Sequence, residues 1–256
     1  MKISLIPIEE IKPHEEYDSI LLSKIIDSIK KEGIIKDPIA IADKSFVILD
    51  GTHRYFALKE LGCKYMPSVL YNYKSQKLKI ACWYRCLTKI PSMDIISNAK
   101  STDRETALNM LKLREASLAI IFNESSYVFD WNGIYNAYRL LDSLTEKYKD
   151  YGIYYAKDNE AFQLLESGMV KVILAVPSIT KDEVINAAKQ NNPFPKKSTR
   201  HILPYRVLGL NIPINWLMEE LEIASKKLEI LLKNGRFNIS KNEEELYIFE
   251  SKTSFR

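Results

Sequence analysis

The stretch FVILDGTHRYFALKELG, residues 46–62, decides the fold of the first part of this chain. It begins with a short apolar run, Phe46 to Leu49, which has the length and composition of a buried strand. Asp50 and Gly51 are turn residues. After them, apolar side chains recur at helical spacing up to Gly62, a residue that commonly ends helices. The stretch therefore predicts a strand, a tight turn and a helix in direct succession.

The flanking sequence predicts a small mixed sheet covered by helices. A helix is expected over residues 21–29, where apolar residues fall at helical spacing. Further strands are expected at residues 2–6, 38–42 and 67–71. Two helices among several short strands are typical of a compact α/β unit, so we expect a first domain at residues 1–74.

The remaining residues, 75–256, predict a second α/β domain, which makes the whole chain a mixed α/β (α+β) protein. A strand is expected over residues 78–87, and an amphipathic terminal helix over residues 216–233 is closed by Gly235. The elements expected between them are a hairpin at 118–122 and 127–131, helices at 134–148, 160–167 and 180–190, and strands at 151–155 and 171–176.

The charge balance does not favour a dedicated nucleic-acid binder. The 256 residues include 37 Lys and Arg against 33 Asp and Glu, a formal net charge of +4. This surplus is spread along the chain rather than gathered in one stripe. The longest apolar stretch, residues 170–176, is interrupted by Lys171 and is too short to span a membrane. We expect a cytoplasmic protein with neither a nucleic-acid nor a membrane partner.

The cysteines indicate neither disulfides nor a zinc site. The chain has three cysteines, Cys63, Cys82 and Cys86. Their number is odd, and no two of them are spaced as C-x-x-C. Buried thiols that act as small apolar side chains are the expectation.

Residues 50–54, Asp-Gly-Thr-His-Arg, carry the strongest chemical signal. The start of a helix presents unpaired N–H groups and a partial positive charge, which together attract anions. Gly51 allows a ligand close to the backbone, Thr52 offers a hydroxyl, and Arg54 can bind phosphate oxygens in a bidentate manner. Asp50 would repel phosphate unless it binds Mg²⁺ or accepts a proton. The alternative is an ordinary helix start capped by Asp50 or Thr52.

The histidines point toward the same region. His14, His53 and His201 all lie outside apolar runs, beside other polar or ionisable residues. A single exposed histidine is usually solvated surface, but the shared polar surroundings indicate a joint site. Neither the P-loop sequence nor the protein-kinase motifs occur, so a phosphoryl-transfer enzyme would use a different scaffold.

Four motifs in order resemble a known family. They read KPHE at 12–15, DGTHR at 50–54, WY at 83–84 and STRHILP at 198–204. The first two resemble the ParB/sulfiredoxin-like fold, whose Gly-polar-His/Arg-Arg loop holds nucleotide phosphates. All four together resemble the free serine kinases of archaea and their bacterial siderophore-cluster relatives, over roughly residues 1 to 210. Thr52 departs from the pattern, because archaeal relatives often carry histidine there.

The resemblance implies a kinase that converts free L-serine to O-phospho-L-serine with ATP or ADP and Mg²⁺, a product that feeds cysteine synthesis. Glu15 would accept the proton of the serine hydroxyl, and Asp50 would lie near the metal or the reacting hydroxyl. The donor phosphates would be held by Gly51, Thr52, His53 and Arg54.

The same resemblance implies a serine-binding group further along the chain. Trp83 would form a wall of the serine pocket, and the Arg200 guanidinium would bind the serine carboxylate. Thr199 and His201 would contact the remaining polar groups or the transferred phosphoryl group.

Two other functions compete with the kinase. A partition-protein-like module would bind nucleotide and DNA, and it predicts a helix-turn-helix after the core together with a basic face. A sulfiredoxin-type reductase needs a thiol in the loop, where Thr52 stands. The choice between ATP and ADP, the strictness for serine, the adenine-binding residues, the role of the terminal helix and the oligomeric state are left open by the sequence.

Overall fold

The computed structural model describes residues 2–234 and 237–240. The α-helices of this part of the chain are α1 (Ser19–Glu32), α2 (Thr52–Glu60), α3 (Arg104–Leu113), α4 (Ile134–Lys147), α5 (Asp158–Glu166), α6 (Lys181–Lys189) and α7 (Leu221–Asn234). Its strands are β1 (Lys2–Pro7), β2 (Ile34–Ile35), β3 (Ile39–Ala42), β4 (Ile48–Asp50), β5 (Tyr65–Tyr71), β6 (Lys79–Ala81), β7 (Tyr84–Leu87), β8 (Lys100–Thr102), β9 (Ala116–Ile121), β10 (Ser126–Asp130), β11 (Ile153–Ala156), β12 (Val172–Ala175), β13 (Arg200–Ile202), β14 (Arg206–Leu208), β15 (Ile212–Pro213) and β16 (Asn238–Ser240). None of these helices combines the length and the apolar character needed to cross a membrane.

The chain divides into two compact units. The first contains the residues up to 79, residues 180–196 and the described residues from 201 onward, and the second contains residues 80–179 and 197–200. This division differs from the continuous domains expected at 1–74 and 75–256. The reason is that Leu217, Ala224 and Leu228, late in the chain, are buried in the core of the first unit.

The first unit is built on a four-stranded sheet in the order β1-β5-β3-β4. β3 runs parallel to β5, while the pairs β1 with β5 and β3 with β4 are antiparallel. All four residues of β3 are buried, and Ile39 and Ile41 have no exposed surface. This central position explains why the run is apolar throughout rather than alternating. The sheet places the end of β4 and the start of α2 next to the buried strand β3.

The second unit is built on a six-stranded sheet in the order β11-β7-β12-β9-β10-β8. Every described pairing in it is antiparallel. The central strands β9 and β12 are buried at every position, which matches their continuous apolar sequences. The mixed α/β class expected for the chain is confirmed.

Most expected elements are present, and two differ. The strand expected at residues 78–87 is interrupted at Cys82 and Trp83, which separate β6 from β7. The terminal helix begins at Leu221, because residues 214–218 form a 3₁₀-helix. Its expected stop, Gly235, lies outside the described residues. Helix α3, in which Ala107 and Leu111 are buried, and the short strands β2, β8 and β13 to β16 were not expected. The three cysteines are buried free thiols, as expected.

Candidate active site

The turn between β4 and α2 leaves a helix N-terminus without a side-chain cap. The first hydrogen bond of α2 runs from the Tyr55 amide to the Gly51 carbonyl, at 3.0 Å, and the N-cap is Gly51 itself. Thr52 is the first helical residue and is half-buried, so neither Thr52 nor Asp50 caps the helix as the alternative interpretation required. Uncapped amides of this kind are suited to binding an anion.

Gly51 is required at this turn for two independent reasons. Its φ angle is +99°, in the region that side chains disfavour. A Cβ atom added there would lie 2.5 Å from Cγ2 of Ile39 and 2.8 Å from Nη2 of Arg54. The turn therefore brings the backbone closer to β3 and to the Arg54 guanidinium than any other residue would allow.

Asp50 is held by two arginines. Its Oδ2 atom accepts hydrogen bonds from Nη2 of Arg54 at 3.1 Å and from Nη1 of Arg206 at 3.0 Å. Arg54 also donates to the Pro38 carbonyl. Burial would raise the pKa of the Asp50 carboxyl, but the two guanidinium groups outweigh burial and hold the pKa below its ordinary value. Asp50 is therefore an anion that orients both arginines beside the start of α2.

The segment that carries Glu15 runs beside the same turn. Lys12 forms a parallel bridge with Val47, and six residues later the Asp18 amide donates to Nε2 of His53 at 2.9 Å. These two contacts hold the segment that carries Glu15 alongside β4 and the start of α2. The structure thus brings the segment that contains the KPHE motif next to the DGTHR turn.

Main-chain hydrogen bonds fix the position of Glu15. The Glu16 amide donates to the Phe194 carbonyl at 2.8 Å, and the Phe194 amide donates to the His14 carbonyl at 2.9 Å. The Glu15 side chain is 13% exposed, with Oε1 lying 3.7 Å from Nε2 of His14. Its carboxylate is accordingly well positioned without being sealed from a ligand.

His53 has a role that the sequence did not predict. Its Nε2 accepts the hydrogen bond from the Asp18 amide, so this nitrogen carries no proton. Asp18 is the N-cap of α1 and accepts from the Ile20 and Leu21 amides. His53 therefore joins the starts of α1 and α2, and its Nε2 accepts a main-chain hydrogen bond instead of donating to a phosphate.

His14 and His201 form a buried pair beneath the turn. Their rings pack edge to face with centroids 5.4 Å apart, and only 2% of His14 and 5% of His201 is exposed. Nε2 of His201 lies 2.9 Å from the Tyr73 hydroxyl. Burial lowers the pKa of His14 to about 4, and burial together with the neighbouring His14 lowers the pKa of His201 well below its ordinary value. Both imidazoles are neutral at pH 7, and both are buried rather than solvated at the surface.

Because both histidines are buried and neutral, we expect the protein to lose stability in mild acid. The pKa of His14 is near 4 in the folded protein and near 6.5 in the unfolded chain, so the unfolded state binds more protons between these values. The free energy of unfolding should fall as the pH drops from 6.5 to 5, by about 2 kcal/mol from His14 and in the same direction from His201. Urea unfolding at several pH values measures this slope.

The matched variant is His14→Asn, which removes one of the two titrating groups. Its slope between pH 5 and 6.5 should be about half that of the wild-type protein. Equal slopes in the two proteins would contradict the assignment of a buried neutral His14.

The expected serine ligands Trp83, Thr199 and Arg200 lie together in the second unit. The Arg200 guanidinium is positioned over the Trp83 ring, 5.4 Å from its centroid, and Thr199 beside it is half-buried. The guanidinium of Arg85, which is 2% exposed, donates to the Trp83 carbonyl at 2.8 Å. His201, the next residue along, belongs to the first unit, where its imidazole contacts His14 and Tyr73.

Glu15 also lines a cavity of the first unit. The cavity has a volume of about 650 Å³, within the range of small-ligand pockets. Its walls include Tyr17 and Phe56, whose ring centroids are 4.3 Å apart, and the side chains of Lys12 and Lys59. The cavity therefore offers a small molecule both aromatic surface and charged groups beside Glu15.

The donor set limits how magnesium would bind. Within the described residues, no group of three or more His, Cys, Asp or Glu side chains is placed to hold a metal ion. Magnesium usually binds through one or two carboxylates together with phosphates and water. Asp50 fits that pattern as a single protein ligand of an ion carried by nucleotide phosphates, although its Oδ2 already accepts from two arginines.

Comparison with known proteins gives a consistent result. Residues 1–83 match the ParB N-terminal domain family. The ATP-dependent L-serine kinase of Staphylothermus marinus is 30% identical over 233 residues, covering 83% of this chain and 90% of that protein. The ADP-dependent L-serine kinase of Thermococcus kodakarensis is 27% identical over 224 residues, covering 83% of this chain and 91% of that protein.

Solved structures agree on the fold. A free serine kinase in complex with AMP superimposes with a TM-score of 0.71 at 24% identity, covering 84% of this chain and 93% of that one. The level of identity with the Staphylothermus protein and its nearly complete coverage establish the relationship. This chain therefore belongs to the L-serine kinase family, and its first 83 residues match the ParB N-terminal domain.

Proposed function

We propose that this protein is a kinase that transfers a phosphoryl group from ATP or ADP to the hydroxyl of free L-serine and forms O-phospho-L-serine. The observation that supports the proposal is that the segment carrying Glu15 runs alongside β4 and the uncapped start of α2. One side of this arrangement attracts an anion, and the other offers a base.

The phosphates would bind where the backbone and Arg54 present donors. The amides of Thr52, His53 and Arg54 form the first turn of α2, and Gly51 lets a phosphate approach them. The Arg54 guanidinium is oriented by Asp50 and the Pro38 carbonyl. A preoriented guanidinium stabilises the charge that develops on a transferring phosphoryl group.

Glu15 would act as the general base. A serine hydroxyl is a weak nucleophile, and its proton would pass to the Glu15 carboxylate as the oxygen bonds to the terminal phosphorus. The bond between that phosphorus and the bridging oxygen breaks at the same time, and the nucleotide leaves one phosphate shorter. Main-chain bonds around Glu15 keep the carboxylate in place for this step.

Trp83, Thr199 and Arg200 remain predicted serine ligands. The Arg200 guanidinium, supported by the Trp83 ring, has the shape and charge to bind a carboxylate. His201 is neutral and buried, which suits a positioning residue beside β4 better than a ligand of charged groups.

Magnesium and the fate of the product complete the proposal. Mg²⁺ would be held by Asp50 and the donor phosphates, and it would neutralise charge on those phosphates. O-phospho-L-serine would then serve cysteine synthesis, and the chain would act in the cytoplasm.

A direct assay tests the function. Purified protein is mixed with L-serine, Mg²⁺ and either ATP or ADP, and phosphoserine is measured by mass spectrometry. We expect phosphoserine with at least one donor, and reactions with threonine or homoserine, or with EDTA added, measure substrate strictness and metal need. Absence of phosphoserine with both donors would contradict the proposal.

A ParB-like nucleotide- and DNA-binding function is the second candidate, because residues 1–83 match the ParB N-terminal domain. That function predicted a helix-turn-helix after the core. The described part of the second unit is instead a six-stranded antiparallel sheet with helices. A DNA gel shift that weakens with salt would support this candidate.

A further inference from the structure

Arg206 reaches the start of α2 from a distant part of the chain. It is the first residue of β14, 156 positions after Asp50, and its Nη1 donates to Oδ2 of Asp50 at 3.0 Å. The same oxygen accepts from Arg54, at 3.1 Å. No sequence motif pointed to Arg206.

The charges of this group do not cancel. Two guanidinium groups share one carboxylate, which leaves a surplus of one positive charge beside a helix N-terminus that already attracts anions. The side chains of Arg54 and Arg206 are 27% and 30% exposed, so both can be reached by a ligand.

Arg206 also has N–H groups beyond the one that bonds to Asp50. A guanidinium has five N–H groups, and within residues 2–234 and 237–240 the Arg206 side chain makes its hydrogen bond through Nη1 to Asp50 alone. Arginine binds phosphate oxygens through paired donors of this kind.

The backbone that carries Arg206 is well anchored. The hydroxyl of Tyr71 donates to the carbonyl of Tyr205 at 2.7 Å, and the two tyrosine rings lie 5.0 Å apart. In β14, Arg206 pairs with Ser240 of β16. The guanidinium is thus delivered to Asp50 from a fixed strand, which lowers the entropy lost when a ligand binds.

We propose that Arg206 is a phosphate-binding residue for the nucleotide donor. Arg206 and Arg54 would bind the donor phosphates from the two sides of Asp50. This inference rests on the proposed function for the identity of the ligand. It adds to the DGTHR motif a guanidinium that only the fold brings there.

The test compares Arg206→Gln with Lys64→Gln. Lys64 forms an ion pair with Glu220 in the same unit, at 2.8 Å, and is 49% exposed, so Lys64→Gln deletes an exposed ion pair in which none of Asp50, Arg54 and Arg206 takes part. Calorimetry measures the dissociation constants of ADP and ATP, and steady-state assays measure the KM values of nucleotide and serine.

We expect Arg206→Gln to weaken ADP and ATP binding by about 10-fold or more and to leave the KM for serine within about twofold. Lys64→Gln should change neither quantity. Unchanged nucleotide dissociation constants in a folded Arg206→Gln protein would overturn the proposal, as would an equal rise of both KM values.

Folding and function are separated by two further readouts. If Arg206→Gln does not fold, Arg206→Lys decides, because it keeps the charge but loses the paired donors, and it must still weaken ADP binding by about threefold or more. If the wild-type protein forms no phosphoserine but loses nucleotide affinity on Arg206→Gln, the serine kinase proposal fails while the phosphate contact stands. If phosphoserine forms normally and Arg206→Gln leaves nucleotide binding unchanged, only the proposed contact between Arg206 and the phosphates is wrong.

Discussion

Glu15→Gln is expected to lower turnover of L-serine by at least about 100-fold while the dissociation constant of the nucleotide changes by less than about twofold. The amide has nearly the shape of the carboxylate but cannot accept the hydroxyl proton. The main-chain bonds at His14, Glu16 and Phe194 do not involve the Glu15 side chain, so the segment keeps its course. Rapid-mix phosphoserine assays give the turnover, and calorimetry gives the nucleotide affinity.

Glu9→Gln is the control for this variant. Glu9 is an exposed carboxylate on the same 650 Å³ cavity as Glu15, so its loss removes one negative charge from that cavity without touching the proposed base. Turnover within about twofold of wild type is expected. If Glu15→Gln lost nucleotide binding and turnover in equal proportion, Glu15 would be a structural residue.

Local sequence patterns were sufficient for the strand, turn and helix at residues 46–62. Each of the three parts is specified by adjacent residues. Gly51 marks the turn, and Gly62 marks the end of the helix. The same holds for α6, where Thr180 and Glu183 form the expected capping box. These elements depend on contacts within a few positions, which a single sequence displays.

Elements decided by distant contacts were harder to predict. The late start of α7 reflects the 3₁₀-helix at residues 214–218, in which Leu217 is buried in the first unit. The sequence pattern there is continuous, and tertiary packing breaks it.

The candidate site also contains residues that short motifs reveal and residues that only tertiary contacts reveal. The DGTHR turn and Glu15 were found because short motifs carry them, whereas Arg206 pairs with Asp50 across 156 positions and has no local signature. His201 was expected to face the substrate because the STRHILP motif resembles the serine kinase family. In β13 the side chains alternate, and the exposure pattern of Arg200, His201 and Ile202 places the imidazole inward.

Gly51→Ala should be the most damaging single change at the turn. A Cβ atom would meet Ile39 at 2.5 Å and the Arg54 guanidinium at 2.8 Å, in a backbone conformation with φ of +99°. Ile39 has no exposed surface and sits in the central strand β3, so it has no room to move. We expect the free energy of unfolding to fall by about 2–4 kcal/mol, since strain at φ and overpacking add.

Gly62→Ala separates the two causes. Gly62 follows the same helix, has a φ of +75°, and an added Cβ would meet no atom within 4 Å. It should lose only about 1 kcal/mol, the cost of the left-handed conformation alone. Urea unfolding of both variants gives the comparison, and ADP calorimetry should show weaker binding in Gly51→Ala alone, because only there is Arg54 displaced. Equal destabilisation with intact ADP binding in both would mean that the close packing around Gly51 matters neither for the fold nor for the phosphate site.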